Sequence, residues 1–130
     1  MRTILLVEDD AWTRVLVRDV LAEDGFRVLE AWDAQDAIRL ESEHGGPIHL
    51  LLTDVIMGGM SGCELASALA PRRPGMRVLF MSAYDRASLV GRGLDPNAPL
   101  LTKPFTIEHL MRRVLAVLGG DRTRASARTR

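Results

Sequence analysis

Short apolar blocks alternate with stretches of helical spacing along the whole chain. Thr3–Val7 is a continuous apolar run, and Ala11–Glu23 follows with Trp12, Val15, Leu16 and Val20 at helical intervals. Asp10 stands where an N-cap belongs, and Gly25 ends the segment. Phe26–Glu30 is the next strand. Asp33 caps a helix through about Glu43, with Ala34, Ala37 and Ile38 on one side, and Gly45-Gly46-Pro47 breaks it. Ile48–Thr53 is a third strand and Met57–Gly62 a loop. Ser61-Gly62-Cys63-Glu64 has the spacing of a capping box and opens a helix through about Ala70. Met76–Met81 is a fourth strand, Asp85–Val90 a short helix, Ala98–Thr102 a fifth strand, and Thr106 caps a last helix, Ile107–Leu118.

This β-α order, repeated five times, predicts an α/β fold: a five-stranded doubly wound parallel sheet with helices on both faces. Strands that are apolar throughout agree, because such a sheet buries both faces. The flavodoxin-like strand order 2-1-3-4-5 is the common solution. It makes strands 1 and 3 neighbours and puts ligands at their carboxyl ends.

Composition narrows the function. With 130 residues, 17 Lys plus Arg and 17 Asp plus Glu, the chain is one domain of zero formal charge. That balance lacks the basic footprint of a dedicated nucleic-acid binder. The charge is unevenly spread: Asp121–Arg130 carries four Arg and one Asp, a net of +3, and the other 120 residues carry −3. Residues 120–130 therefore read as a disordered basic tail beyond a domain at 1–119. The single cysteine, Cys63, leaves no intrachain disulfide and suits a reducing, cytoplasmic setting. No apolar run approaches the ~18 residues of a membrane span. His44, His49 and His109 lack metal-ligand spacing, Arg72-Arg73 reads as a solvated turn, and Trp12 and Trp32 read as partly buried packing residues.

The strand ends carry the chemistry. Strand 1 runs into Glu8-Asp9-Asp10 and strand 3 ends at Asp54. In the expected order these acids converge, and like charges so close require a proton or a cation. A hard, oxygen-liganded divalent ion such as Mg²⁺ answers that need. Strand 4 delivers Ser82 to the same rim and strand 5 delivers Lys103. A carboxylate nucleophile, a metal, a hydroxyl and a lysine together suit formation of an aspartyl phosphate.

VEDD after strand 1, LLTDVIMGGMSG around Asp54, MSAY after strand 4 and LTKPF after strand 5 resemble the response-regulator receiver domain. The resemblance covers about Arg2–Gly119 and is greatest to receivers at the C-terminal end of hybrid sensor histidine kinases. It implies that Asp54 is the phosphoacceptor, with Ser82 as switch hydroxyl and Lys103 pairing with the phosphoryl group. It implies Mg²⁺ at Glu8, Asp9, Asp54 and the Ile56 carbonyl, with Asp9 a direct ligand and Glu8 acting through water. The Lys103–Pro104 bond is expected to be cis. The implied donor is a sensor histidine kinase or a histidine phosphotransfer domain. The implied protein is a monomer or weak dimer, modifies itself rather than turning over substrate, and has no DNA-binding domain in this chain. Gly58 stands where the family often has Pro, and Leu100 where many members carry a switch aromatic. The alternatives are a degenerate receiver serving as an interaction module and an FMN-binding flavodoxin-like carrier. The latter is disfavoured because EDD after strand 1 repels a flavin phosphate.

Overall fold

The computed structural model describes residues 1–119; the expected tail at 120–130 lies outside them. The elements are β1 (Thr3–Val7), α1 (Ala11–Glu23), β2 (Arg27–Ala31), α2 (Ala34–Glu43), β3 (Leu50–Asp54), α3 (Gly62–Leu69), β4 (Arg77–Ser82), α4 (Arg86–Val90), β5 (Leu100–Thr102) and α5 (Ile107–Leu118). All five strands pair in parallel, in the order β2-β1-β3-β4-β5.

The alternation of side chains along each strand builds two cores. Ile4, Leu6, Leu50, Leu52, Leu79 and Met81 pack with Val17 and Leu21 of α1 and Leu110 and Val114 of α5. On the opposite face Leu5, Val7 and Leu51 pack with Ala34 and Ala37 of α2 and Leu65 and Leu69 of α3. Phe80 and Leu100, with Val55, Leu89 and Leu94, form a smaller cluster under α4. Leu100, in place of an aromatic, is thus an aliphatic core residue.

The caps follow the sequence. Asp10, Asp33, Ser61, Asp85 and Thr106 each accept a backbone N–H three residues on, and Ser61 and Glu64 complete the capping box. Gly25 takes φ +94, a conformation only glycine adopts cheaply.

The structure departs from several expectations. Trp12 and Trp32 are 86% and 57% exposed, not packed. On α1 the buried stripe is Val17 and Leu21, with Val20 beside it, while Trp12, Val15 and Leu16 face outward. Arg72 does sit exposed in a turn, but Arg73 is largely covered and both side chains have partners. Arg73 Nε donates to Glu41 Oε2 at 3.0 Å, and its other nitrogens donate to the carbonyls of Glu41, His44 and Gly46. Arg72 Nε adds a bond to Glu41 Oε1 at 2.8 Å. The pair closes the carbonyl end of α2 and balances a buried carboxylate. Burial raises the Glu41 pKa, but Arg73 and Arg72 outweigh it and hold the carboxyl below its ordinary value. β3 also starts at Leu50, not Ile48. His49 instead accepts the Thr3 N–H on Nδ1 at 2.9 Å and donates its own backbone N–H to the Thr3 carbonyl.

Candidate functional site

Strand register assembles the site. Val7 lies opposite Thr53, so the following residues, Glu8 and Asp54, arrive at the same level. Asp54 pairs with Met81, and Ser82 with Thr102. Ser82 and Lys103 therefore emerge one step further along the same edge. Glu8, Asp54 and Ser82 are all buried, whereas Asp9 is exposed.

Lys103 bridges the two buried acids. Its Nζ lies 2.7 Å from Glu8 Oε1 and 2.7 Å from Asp54 Oδ1. The second Glu8 oxygen accepts the backbone N–H of Asp10 at 3.0 Å. Both Glu8 oxygens are thus engaged within the protein. One carboxylate oxygen from each of Glu8, Asp9 and Asp54 lies within 4.8 Å of the others. Asp9, Asp54, Ile56, Ser82, Tyr84 and Lys103 line a cleft of about 150 Å³. Ser82 Oγ accepts the Tyr84 N–H at 3.0 Å, which leaves its own hydrogen to donate. The Lys103–Pro104 peptide is cis, as expected.

One lysine cannot neutralise three carboxylates. Burial, and then Glu8, push the Asp54 pKa from 3.8 up to about 8. Burial also raises Glu8, but hydrogen bonds from Asp54, Lys103 and Asp10 hold it below its ordinary value. Asp9 is raised by partial burial and by Glu8. Burial and then Lys103's two carboxylate partners act on the lysine in opposite directions, and the partners win, so it stays firmly cationic. The site therefore has unmet demand for positive charge. Hard oxygen donors at this spacing fit Mg²⁺.

The residues the resemblance assigns to the site come together here: Glu8, Asp9, Asp54, Ile56, Ser82 and Lys103; Asp10, the third acid after β1, caps α1 instead. In the sequence Gly62 ends the Met57–Gly62 loop and stands inside a capping box, and neither place shows why a glycine is needed there. A Cβ on Gly62 would lie 2.0 Å from the Asp54 carbonyl oxygen, and its N–H donates to the Val55 carbonyl at 2.8 Å. The helix after the site can approach the Asp54 backbone only because position 62 has no side chain. The signal was a glycine directly after a capping serine, where nothing about the cap itself requires one.

Cys63 is half-buried, and burial together with Glu64 raises its thiol pKa, which suits a packing residue and not a nucleophile.

The model of the response regulator receiver domain family matches residues 4–115. The response regulator receiver protein CpdR of Brucella abortus is 32% identical over 120 residues, which are 91% of this chain and 98% of that protein. The crystal structure of the receiver domain from the hybrid histidine kinase CckA superposes with a TM-score of 0.76 at 33% identity, covering 89% of this chain and 98% of that one. A cyclic di-GMP phosphodiesterase of Thermotoga maritima is 31% identical over 117 residues, 89% of this chain and 31% of that protein. The chain spans about half or less of several curated relatives it matches.

Proposed function

Because the chain belongs to the response regulator receiver family of two-component systems, we propose that Asp54 is its phosphoacceptor and that the donor is a phosphohistidine on a sensor histidine kinase or a histidine phosphotransfer domain. The observation that carries this reading is Lys103 Nζ held 2.7 Å from both Glu8 and Asp54, beside a third carboxylate and a small open cleft.

An ionised Asp54 oxygen attacks phosphorus in line with the donor nitrogen. The P–N bond breaks, the imidazole keeps the electron pair, and Asp54 becomes an acyl phosphate. Lys103 already sits on the acceptor carboxylate and is positioned to take a phosphoryl oxygen. The free Ser82 hydrogen serves a second one. Asp9, Asp54 and the Ile56 carbonyl would hold Mg²⁺, with Glu8 behind them because both its oxygens are engaged. When bound, the ion offsets the charge of the incoming phosphoryl oxygens. The cycle modifies the protein itself, so the chain is a signalling module and not a multi-turnover enzyme. Phosphorylation is read out as a conformational change or as onward transfer of the phosphate. Among the described residues no helix is long and apolar enough to cross a membrane. We place the protein in the cytoplasm, where a lone unpaired cysteine is ordinary.

Beryllofluoride, a phosphoryl mimic, tests the reading. Amide resonances of Ser82, Ala83 and Lys103 should shift saturably with beryllofluoride and Mg²⁺ together and stay in place with beryllofluoride alone. The same shifts in Asp54→Ala would contradict the assignment.

A further inference from the structure

The peptide joining Glu8 to Asp9 is held from behind. Arg14, one turn into α1, sends Nη1 back to the Glu8 carbonyl oxygen at 2.9 Å. Its Nε faces Glu30 Oε1 at 3.4 Å, and its side chain is only 17% exposed. Glu30 lies on β2 opposite Leu6 of β1, so it is part of the sheet that delivers the acids. Arg18, one turn further along α1, reaches the other Glu30 oxygen at 2.9 Å and also pairs with Asp19, whereas it is Arg14 whose guanidinium donates to the Glu8 carbonyl.

We infer that Arg14 is a positioning residue for Asp9: anchored by Glu30, it fixes the Glu8–Asp9 peptide and so aims the Asp9 carboxylate into the cleft. The local geometry supports this. Asp9 is the exposed member of the acid trio, and the side chain that meets its carboxylate is Glu8, a second acid whose charge opposes its own and so cannot steady it. Its placement depends on the backbone on either side. On the C-terminal side Asp10 is fixed as the cap of α1, through Thr13 N–H and Oγ1 at 2.9 and 2.7 Å. On the N-terminal side the Glu8 N–H is tied to the Ala31 carbonyl, and the Glu8 carbonyl is tied to Arg14. A planar guanidinium can face a carboxylate and a carbonyl at once, which a lysine cannot do with the same rigidity. Partners of this supporting kind typically change metal affinity by about 10–100-fold when removed.

The inference rests on the reading that Asp9 binds the metal. Electrostatics alone makes the opposite forecast: deleting a cation near an acidic site strengthens Mg²⁺ binding. The sign therefore separates positioning from charge. Mg²⁺ titrations of the wild type, Arg14→Met, Arg18→Met and Asp9→Asn decide it. Methionine keeps the aliphatic stem, so packing on α1 survives. Arg14→Met should bind Mg²⁺ about 10-fold more weakly. Arg18→Met should match the wild type or bind slightly tighter. In the metal-free protein the Asp9 amide nitrogen resonance should move in Arg14→Met and not in Arg18→Met, a readout independent of bound ion. Unchanged or tighter binding in Arg14→Met, or an equal loss in Arg18→Met, would overturn the role of Arg14. Unchanged binding in Asp9→Asn would overturn the metal reading beneath it.

Discussion

Asp54→Asn should take up no phosphate from acetyl phosphate and should unfold at a higher temperature than the wild type in EDTA at pH 7.5. The first effect is chemical, because an amide is not the nucleophile a carboxylate is. The second follows from proton linkage. Burial and the neighbouring Glu8 raise the Asp54 pKa from 3.8 to about 8. Between those values the unfolded chain has lost the proton and the folded chain keeps it. The folded state then binds more protons, so this group's contribution to stability falls as pH rises from about 4 to about 8. Asparagine carries no charge to bury, and its amide can donate to Glu8 and accept from Lys103 as a protonated Asp54 does. The gain should be on the order of 1–3 kcal/mol, which is several degrees for a domain of this size, and should vanish near pH 4. Mg²⁺ should then raise the wild-type midpoint more than that of the variant. Phosphate uptake by the variant, or a lower midpoint in EDTA, would contradict the account.

Gly62→Ala should be the most damaging small substitution in the site. The added Cβ falls 2.0 Å from the Asp54 carbonyl oxygen, 3.0 Å from its carbonyl carbon and 3.2 Å from Thr53 Cγ2. Two of those atoms are backbone, so relief requires moving either the start of α3 or the acceptor residue. The expected cost is about 2–4 kcal/mol, or roughly 10 °C in the unfolding midpoint. Slower phosphorylation of whatever folds should accompany it, because Asp54 moves. Gly58→Ala is the control: a Cβ there meets nothing within 4 Å, and it should shift stability by no more than about 0.5 kcal/mol. Thermal melts of the two variants side by side check this; a Gly62→Ala midpoint equal to that of Gly58→Ala would contradict the packing argument.

What the sequence revealed, and what it hid, divides by the range of the physics involved. The helix caps at Asp10, Asp33, Ser61 and Thr106 were legible because a cap is a contact over three residues. The site was legible because parallel β-α units send every strand end to one rim, so Glu8, Asp9, Asp54, Ser82 and Lys103 had to meet. The inward stripe of α1 was not legible. Six apolar residues, from Trp12 to Leu21, spread around the helix, and only the sheet selects Val17 and Leu21 and leaves Trp12 outside. The role of Arg73 was not legible because its partners come from the end of α2, about thirty positions earlier, and no local pattern announces that meeting. Gly62 was read for its place in a cap, although what matters is the Asp54 backbone eight residues before it.

The central claim is that Asp54 carries the phosphoryl group, and chemical trapping tests it most directly. The wild-type chain is incubated with acetyl phosphate and Mg²⁺, reduced with borohydride and digested, and the peptides are sequenced by mass spectrometry. Borohydride converts an aspartyl phosphate to homoserine. The account predicts homoserine at position 54 alone, and none when Mg²⁺ is withheld. Homoserine at Asp9 or Asp10, or a modified chain with Asp54 intact, would contradict it.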